Sequence, residues 1–421
     1  MLKTLSCLML TLTLAAWTLA AERVPERHWP SWRGPNHDGT VTQGNFLKRW
    51  NKKEGIRWKV ALPGPGCSTP IVWDNQIMLT CEAADQDTVM ALDWSGNKLW
   101  QTAVGKQRGG KHRNGSGSNP SCITDGNYVF AYFKSGHLAG LTIEGKLLWK
   151  TNLQQRYGKD TLYWDLGSSP VLTRNHVTVA VMHKGNSYLA AFDKQTGDLA
   201  WKVDRNYETP VEGDHSYATP IVTQQSGKEA ILVWGAEHLT AHDAANGNIL
   251  WSCAGFNPDE KRNWVAVASY VIAKDVAVIP YGRGSRLAGI RLGGEGDVSK
   301  THRIWTRTDT GSFVPTPCTD GKQVMLLRDS GEVQGIDPAT GKTLWEGRFP
   351  KHRAKYYASP VVAGGNMYAP REDGVLLVAS LKNGFKFEAE NDMGERLIAS
   401  PVPVGNQLLI RGERHLFCIG K

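Results

Sequence analysis

The sequence predicts an all-β chain: an eight-bladed β-propeller of four-stranded antiparallel blades, closed by an N-terminal strand that completes the last blade. Two recurring phrases carry that expectation across 421 residues. One is an aspartate, a turn and a glycine, with a tryptophan four residues after the glycine. The other is a small residue and a proline that lead into a short apolar run.

The first phrase is clearest at Leu189-Ala-Ala-Phe-Asp-Lys-Gln-Thr-Gly-Asp-Leu-Ala-Trp201. Residues 190–193 alternate as in a half-buried strand. Asp193 can accept from the backbone two residues on, and Gly197 supplies the positive φ of a chain reversal. Copies stand at Asp93, Gly96 and Trp100, at Asp243, Gly247 and Trp251, and at Asp337, Gly341 and Trp345; a shortened copy keeps Gly145 and Trp149. Recurrence at this spacing signals a repeat architecture.

The second phrase appears as Ser68-Thr-Pro70, Ser118-Asn-Pro120, Ser168-Ser-Pro170, Ala218-Thr-Pro220, Pro315-Thr-Pro317, Ala358-Ser-Pro360 and Ala399-Ser-Pro401. A degenerate copy at Ala268-Ser-Tyr270 makes eight. Small residues suit strands crowding a common axis, and proline suits the first residue of a strand, where no ladder donor is needed. The closing aromatics are also eight: Trp58, Trp100, Trp149, Trp201, Trp251, Trp305, Trp345 and Phe387. Trp58 precedes the first proline-marked strand and nothing closes the unit after Pro401. Residues 57–62 are therefore expected to supply the outer strand of the last blade, which closes the ring and leaves only short edges.

Three regions follow: a signal peptide over residues 1–20, an extended arm over 21–55 and the propeller over 56–421. Lys3, the apolar run 5–16 and the small residues before Ala21 have the form of a secretory leader. The run is short for a membrane span, and Cys7 precedes it, the wrong side for lipid attachment. The arm is expected to lie over the body with Trp29 and Trp32 as anchors. The expected product is an exported monomer, periplasmic or secreted, with no stable membrane insertion.

Net charge is +9, and removing residues 1–20 takes only Lys3, leaving +8. A basic exported chain can meet acidic surfaces, but no motif supports nucleic-acid binding. Six cysteines remain after the leader, with no CxxC to suggest zinc or thiol redox chemistry. Cys67 and Cys81 flank a hairpin turning at Asp74-Asn75, a spacing that suits a disulfide.

The pattern Ala-x-Asp-x-x-Thr-Gly-x-x-x-Trp resembles the tryptophan-docking repeat of pyrroloquinoline-quinone (PQQ) propellers. That family includes quinoprotein alcohol dehydrogenases and the outer-membrane assembly scaffold of Gram-negative bacteria. Matches run over about residues 56–421, whereas the Gly-His and Trp-Asp signatures of WD40 blades are missing. The dehydrogenase branch implies PQQ with calcium, a Glu-Asn-Asp calcium site, an Asp base and a disulfide between adjacent cysteines. No Cys-Cys pair occurs here, and Asp165 and Asp214 stand in no calcium pattern. The scaffold branch agrees in size but carries a lipid-attachment cysteine that this chain lacks. No catalytic or metal-ligating residue is assigned and no cofactor is expected.

Function is expected at the channel mouth, where the segments before each inner strand meet the loops after each second strand. The first group contains His112, Arg113 and Asn114, Tyr163, Trp164 and Asp165, Asp214, His215 and Tyr217, Trp264, Phe313, Tyr357 and Arg396. Cations interleaved with aromatics can stack on and neutralise a flat or anionic ligand. The second group places Lys134, Lys184, Arg283, Arg328, Arg371 and Arg411 shortly before a glycine. If equivalent, these six form a ring of positive charge, offset in part by Glu82, Asp329, Glu372 and Asp373. The expected partner is a protein or an anionic ligand; the competing reading is a PQQ-dependent alcohol or sugar dehydrogenase.

Overall fold

A computed structural model describes residues 27–421; the expected leader lies outside the described residues. Eight antiparallel sheets form the ring. Blade 1 consists of Ile71–Trp73, Gln76–Ala83, Gln86–Leu92 and Lys98–Lys106. Blades 2 to 7 begin at Ile123–Thr124, Val171–Leu172, Ile221–Gln225, Val271–Ala273, Cys318–Thr319 and Val361–Ala363. Blade 8 is made of Val402–Val404, Gln407–Arg411 and His415–Ile419, and its outer strand is Ile56–Ala61, which pairs antiparallel with His415–Ile419. The ring closes as expected.

Seven of the closing aromatics, all tryptophans, occupy equivalent positions; in blade 7 that place is held by the buried Ala389, paired with Val378, whereas Phe387 lies on the other side of the register shift and is exposed. Each tryptophan pairs with a residue of the third strand beside a register shift: Trp100 with Ala91, Trp149 with Gly140, and Trp201 with Ala191. The indole then leans on the following blade. Trp149 Nε1 donates to Lys194 O at 2.9 Å, and a Cβ on Gly197 would lie 2.4 Å from that ring. Gly197 is thus required twice, for its φ of +74° and for the seat it leaves the indole.

The second phrase builds a belt around the channel. The backbone N–H of Thr69 donates to Ser121 Oγ, Ser121 to Ser169, Ser169 to Thr219, Thr219 to Ser269, Ser269 to Thr316 and Thr316 to Ser359, all at 2.9–3.0 Å. Ser400 N–H donates to Thr69 Oγ1 at 3.2 Å. At seven of the eight blade junctions a hydroxyl therefore satisfies an orphan backbone donor on the neighbouring inner strand, which a buried backbone group requires. Small size alone does not account for the phrase: the hydroxyl is the shared feature, and Ser269 keeps it where the proline is lost. In blade 2 it is Ser121, just after the Ser118-Asn-Pro120 phrase read from the sequence, with Cys122 in the proline's place.

Three features depart from the simple ring. Leu153–Tyr157 forms one helical turn, capped by Asn152, whose side chain accepts from Gln154 and Gln155 N–H. Gly296–Asp297, from the long loop of blade 5, pairs parallel with the outer strand of blade 4. Thr40–Val41 of the arm pairs parallel with the innermost strand of blade 7.

The arm passes across the ring rather than lying on its outside. Trp29, fully buried, exchanges backbone hydrogen bonds with Val72 of blade 1, and Pro30 O accepts from Thr124 of blade 2. Beyond the axis, Asp38 O accepts from Thr319 of blade 6 and Gly39 O from Val362 of blade 7. Between these moorings Arg33 is buried and donates to Pro360 O at 2.8 Å and Pro317 O at 3.0 Å. The channel is crossed at one end.

Candidate functional site

Above the arm, the loops that join one blade's outer strand to the next blade's inner strand surround a cavity of about 770 Å³. Trp32 and the hydroxyl belt, including Thr69, Ser121, Ser169 and Ser400, form its deep end. The walls carry Trp164, Tyr163, Tyr357, Phe313, Tyr217 and His112. Trp29 is the anchor the sequence suggested, whereas Trp32 is a floor.

Asp165 organises the wall below Trp164. Its carboxylate accepts Lys111 N–H at 2.8 Å and His112 N–H at 2.9 Å, and it forms an ion pair with the buried Lys134, which also donates to Gly109 O. A Cβ on Gly115 would lie 2.0 Å from Asp165 Oδ2, so only glycine admits the carboxylate there. His112 Nδ1 accepts Asn114 N–H at 3.1 Å, which leaves the ring proton on Nε2. The His112 ring meets Trp164 edge-on at 5.1 Å and Tyr357 at 6.0 Å. Trp164 is 42% exposed and Tyr163 58% exposed, a large apolar surface facing the opening. Tyr217 Oη accepts Trp164 N–H at 3.0 Å, and burial pushes its phenol well above the ordinary range.

Asn114 and Arg113 form part of the rim. Both donate to Glu372 Oε2, at 2.9 and 3.0 Å, and Arg396 donates to Asn114 Oδ1 at 3.1 Å. Burial tends to raise the Glu372 carboxyl, but the Asn114 hydrogen bond, Lys355 N–H and the Arg113 guanidinium hold it below its usual range. His215 is buried outside the cavity lining, and burial lowers its imidazole pKa. Trp264 lies under Arg286, at 5.3 Å, and edge-on to Tyr281.

The six cations do not form a ring. Arg283 lines the cavity and Arg328 a neighbouring cleft. Lys134 is held by Asp165, and Arg371 turns back to Asp373 in its own loop. Arg411 is buried, donating to Ser68 O and Thr80 O. Lys184 is exposed and lines neither opening. A common offset from glycine fixes where a backbone turns, not where a long side chain points.

The suggested disulfide is also corrected. Cys67 and Cys81 are both free; Cys67 donates to Asn114 O at 3.3 Å at the cavity wall, while Cys81 is buried in the core beneath. The lining residues Trp32, Glu212 and Arg262 were missed by sequence reasoning. Glu212 and Arg262 lie in the marked loops but had no aromatic or repeat signal to single them out.

Among the described residues no helix is long and apolar enough to cross a membrane. No curated protein sequence matches the chain. Solved structures share the fold. Europium-containing methanol dehydrogenase has a TM-score of 0.70 at 12% identity, covering 93% of this chain and 91% of that one. The quinohemoprotein alcohol dehydrogenase of Comamonas testosteroni gives 0.69 at 12% identity over 94% and 81%. BamB from Moraxella catarrhalis gives 0.60 at 15% identity over 86% and 98%. A family profile described as outer membrane protein assembly factor BamB matches residues 39–187, 144–347 and 301–412. With most of the ring so matched, the chain belongs to this PQQ-type propeller family.

Proposed function

We propose that the protein is an exported, non-catalytic binding propeller that receives a ligand or a partner's segment in the aromatic cup. The observation that carries this reading is the cup itself: a large opening faced with Trp164, Tyr163, Tyr357 and Phe313 and floored by Trp32. Its buried carboxylate, Asp165, is already neutralised by Lys134 and two backbone N–H groups. A general base needs a lone pair free to take a proton, and a calcium site needs several free oxygens. Asp165 offers neither. The leader-like residues 1–20 support export, and the likeness to BamB supports a scaffold role.

The competing reading is oxidoreduction with PQQ, supported by the likeness to methanol and alcohol dehydrogenases. The residues present do not fit that cofactor with its calcium. Asp165, the buried carboxylate of the cavity wall, is already taken by Lys134 and two backbone N–H groups, and Cys67 beside it is a free thiol with no adjacent cysteine to pair with. Purified protein mixed with PQQ and calcium, followed by absorbance and a dye-linked alcohol assay, separates the two. No turnover is expected; tight cofactor binding with turnover would overturn the binding-module reading.

A further inference from the structure

Beside the cup, a second cleft of about 330 Å³ opens between blades 5, 6 and 7. It shares Arg283, Phe313, Val314 and Tyr357 with the cup and adds Arg328, Asp329, Ser330 and Lys355. Three cations and a single carboxylate, Asp329, thus line one opening, a positive excess that favours an entering anion.

The carboxylates in and beside the cleft hydrogen-bond or pair with other groups, while Asp329 lies within electrostatic reach of Lys355, and Glu332 and Asp309 within that of Arg328. Asp329, whose pKa burial raises, accepts Phe313 N–H at 2.9 Å and Val314 N–H at 3.2 Å. Glu332 pairs with Arg348 at 2.9 Å and accepts the Ser330 hydroxyl. Asp309 pairs with Arg307 at 2.6 Å. The two arginines have only long bonds to carbonyls, Arg283 to Asn263 O and Arg328 to Gly284 O, each 3.3 Å.

Arg283 also occupies a left-handed backbone conformation, φ +54°, between two glycines at positive φ. Such a conformation is costly for arginine and is held by its surroundings. It lays the guanidinium 4.5 Å from the centre of the Phe313 ring, at the boundary of cup and cleft.

We propose that the cleft is an anion subsite. It takes the carboxylate, sulfate or phosphate of a ligand whose ring lies against the aromatics of the cup. This rests on the binding reading above and names the ligand's chemistry: a compact ring bearing at least one oxyanion. Tyr357, which lines both openings, marks the place where ring and anion would join.

The test compares rings matched in shape: benzene-1,3,5-tricarboxylate, benzene-1,3,5-trisulfonate and neutral benzene-1,3,5-trimethanol, titrated against the full protein by calorimetry at two salt concentrations. The charged rings should bind about tenfold or more tightly than the neutral one, and salt should weaken only the charged rings. The two charged probes tell carboxylate from sulfonate preference. Arg328→Gln and Lys355→Gln should each remove much of the charged-ring advantage and leave neutral-ring binding unchanged. Arg283→Gly should also weaken the charged rings while relieving backbone cost, so that loss would not come from misfolding. Lys184→Gln, outside the cleft, should change nothing. Equal binding of charged and neutral rings, with sensitivity to Trp164→Ala, overturns the anion subsite and leaves the cup reading standing. No binding of any ring overturns both.

Discussion

His242 lies fully buried on the third strand of blade 4. Its Nδ1 donates to Gly247 O at 2.8 Å, and its Nε2 accepts the Thr240 hydroxyl at 2.9 Å. That hydroxyl accepts in turn from the buried Arg205. The Thr240 bond requires an unprotonated Nε2; the Gly247 carbonyl favours the protonated ring, but burial outweighs it and lowers the pKa from 6.5 to about 4. Between those values the unfolded chain takes up the proton and the folded chain does not. The group's contribution is therefore complete above pH 6.5 and is lost as pH falls toward 4, by about 3 kcal/mol at 1.4 per pH unit. Urea midpoints at pH 7 and pH 4.5 check this against His242→Gln, which should begin less stable yet fall less between the two. An identical fall in both proteins would count against it.

At the scale of the element, the turn phrase was readable because its roles coincide at fixed spacing. Asp193 Oδ1 accepts Gln195 and Thr196 N–H, Gly197 reverses the chain, and Trp201 reaches the next blade, donating to Ala244 O at 3.2 Å over Gly247. Trp201→Ala should lower unfolding free energy by about 3–5 kcal/mol, as deletion of a buried aromatic does. Chemical denaturation measures that loss, while ring-probe affinity should be unchanged in the folded protein because Trp201 lies outside the cup lining. Other elements were not readable. Gly296–Asp297 and Thr40–Val41 are two-residue parallel pairings, too short to leave a period in the sequence. The hydroxyl belt was visible as Ser or Thr before proline in six blades, yet Ser121 follows its proline and is identified only by the neighbouring blade, 48 residues away at Ser169.

For the whole molecule, blade count and closure could be read from the seven closing tryptophans, the eight small-residue strand entries and the unpaired strand around Trp58, although Phe387 is not the eighth closing residue. The candidate site was readable only as a face. Loops carrying Trp164, Tyr357 and Phe313 converge as the alternation of connections requires. Whether Lys134 faces the opening or Asp165 depends on packing between blades 2 and 3, which no local spacing encodes. The cations assigned by spacing therefore separated into structural ion pairs, buried guanidinium groups and the few that reach an opening.

The arm across the channel has a consequence for the order of assembly. It is made first, yet it can seat only after the chain has completed blades 6 and 7; the bond from Arg33 to Pro360 O joins residues 327 apart. Every one of its far moorings, on Thr319, Val362 and the prolines beneath Arg33, lies late in the chain. The earliest folded segment to leave the ribosome is thus the last to settle, and it reports that the ring is whole. Native-state hydrogen exchange should show the Thr124, Thr319 and Val362 amides opening together, at lower free energy than the inner-strand amides of blade 3. Independent opening of these three would mean that the arm is fastened piecemeal rather than laid down in one late step.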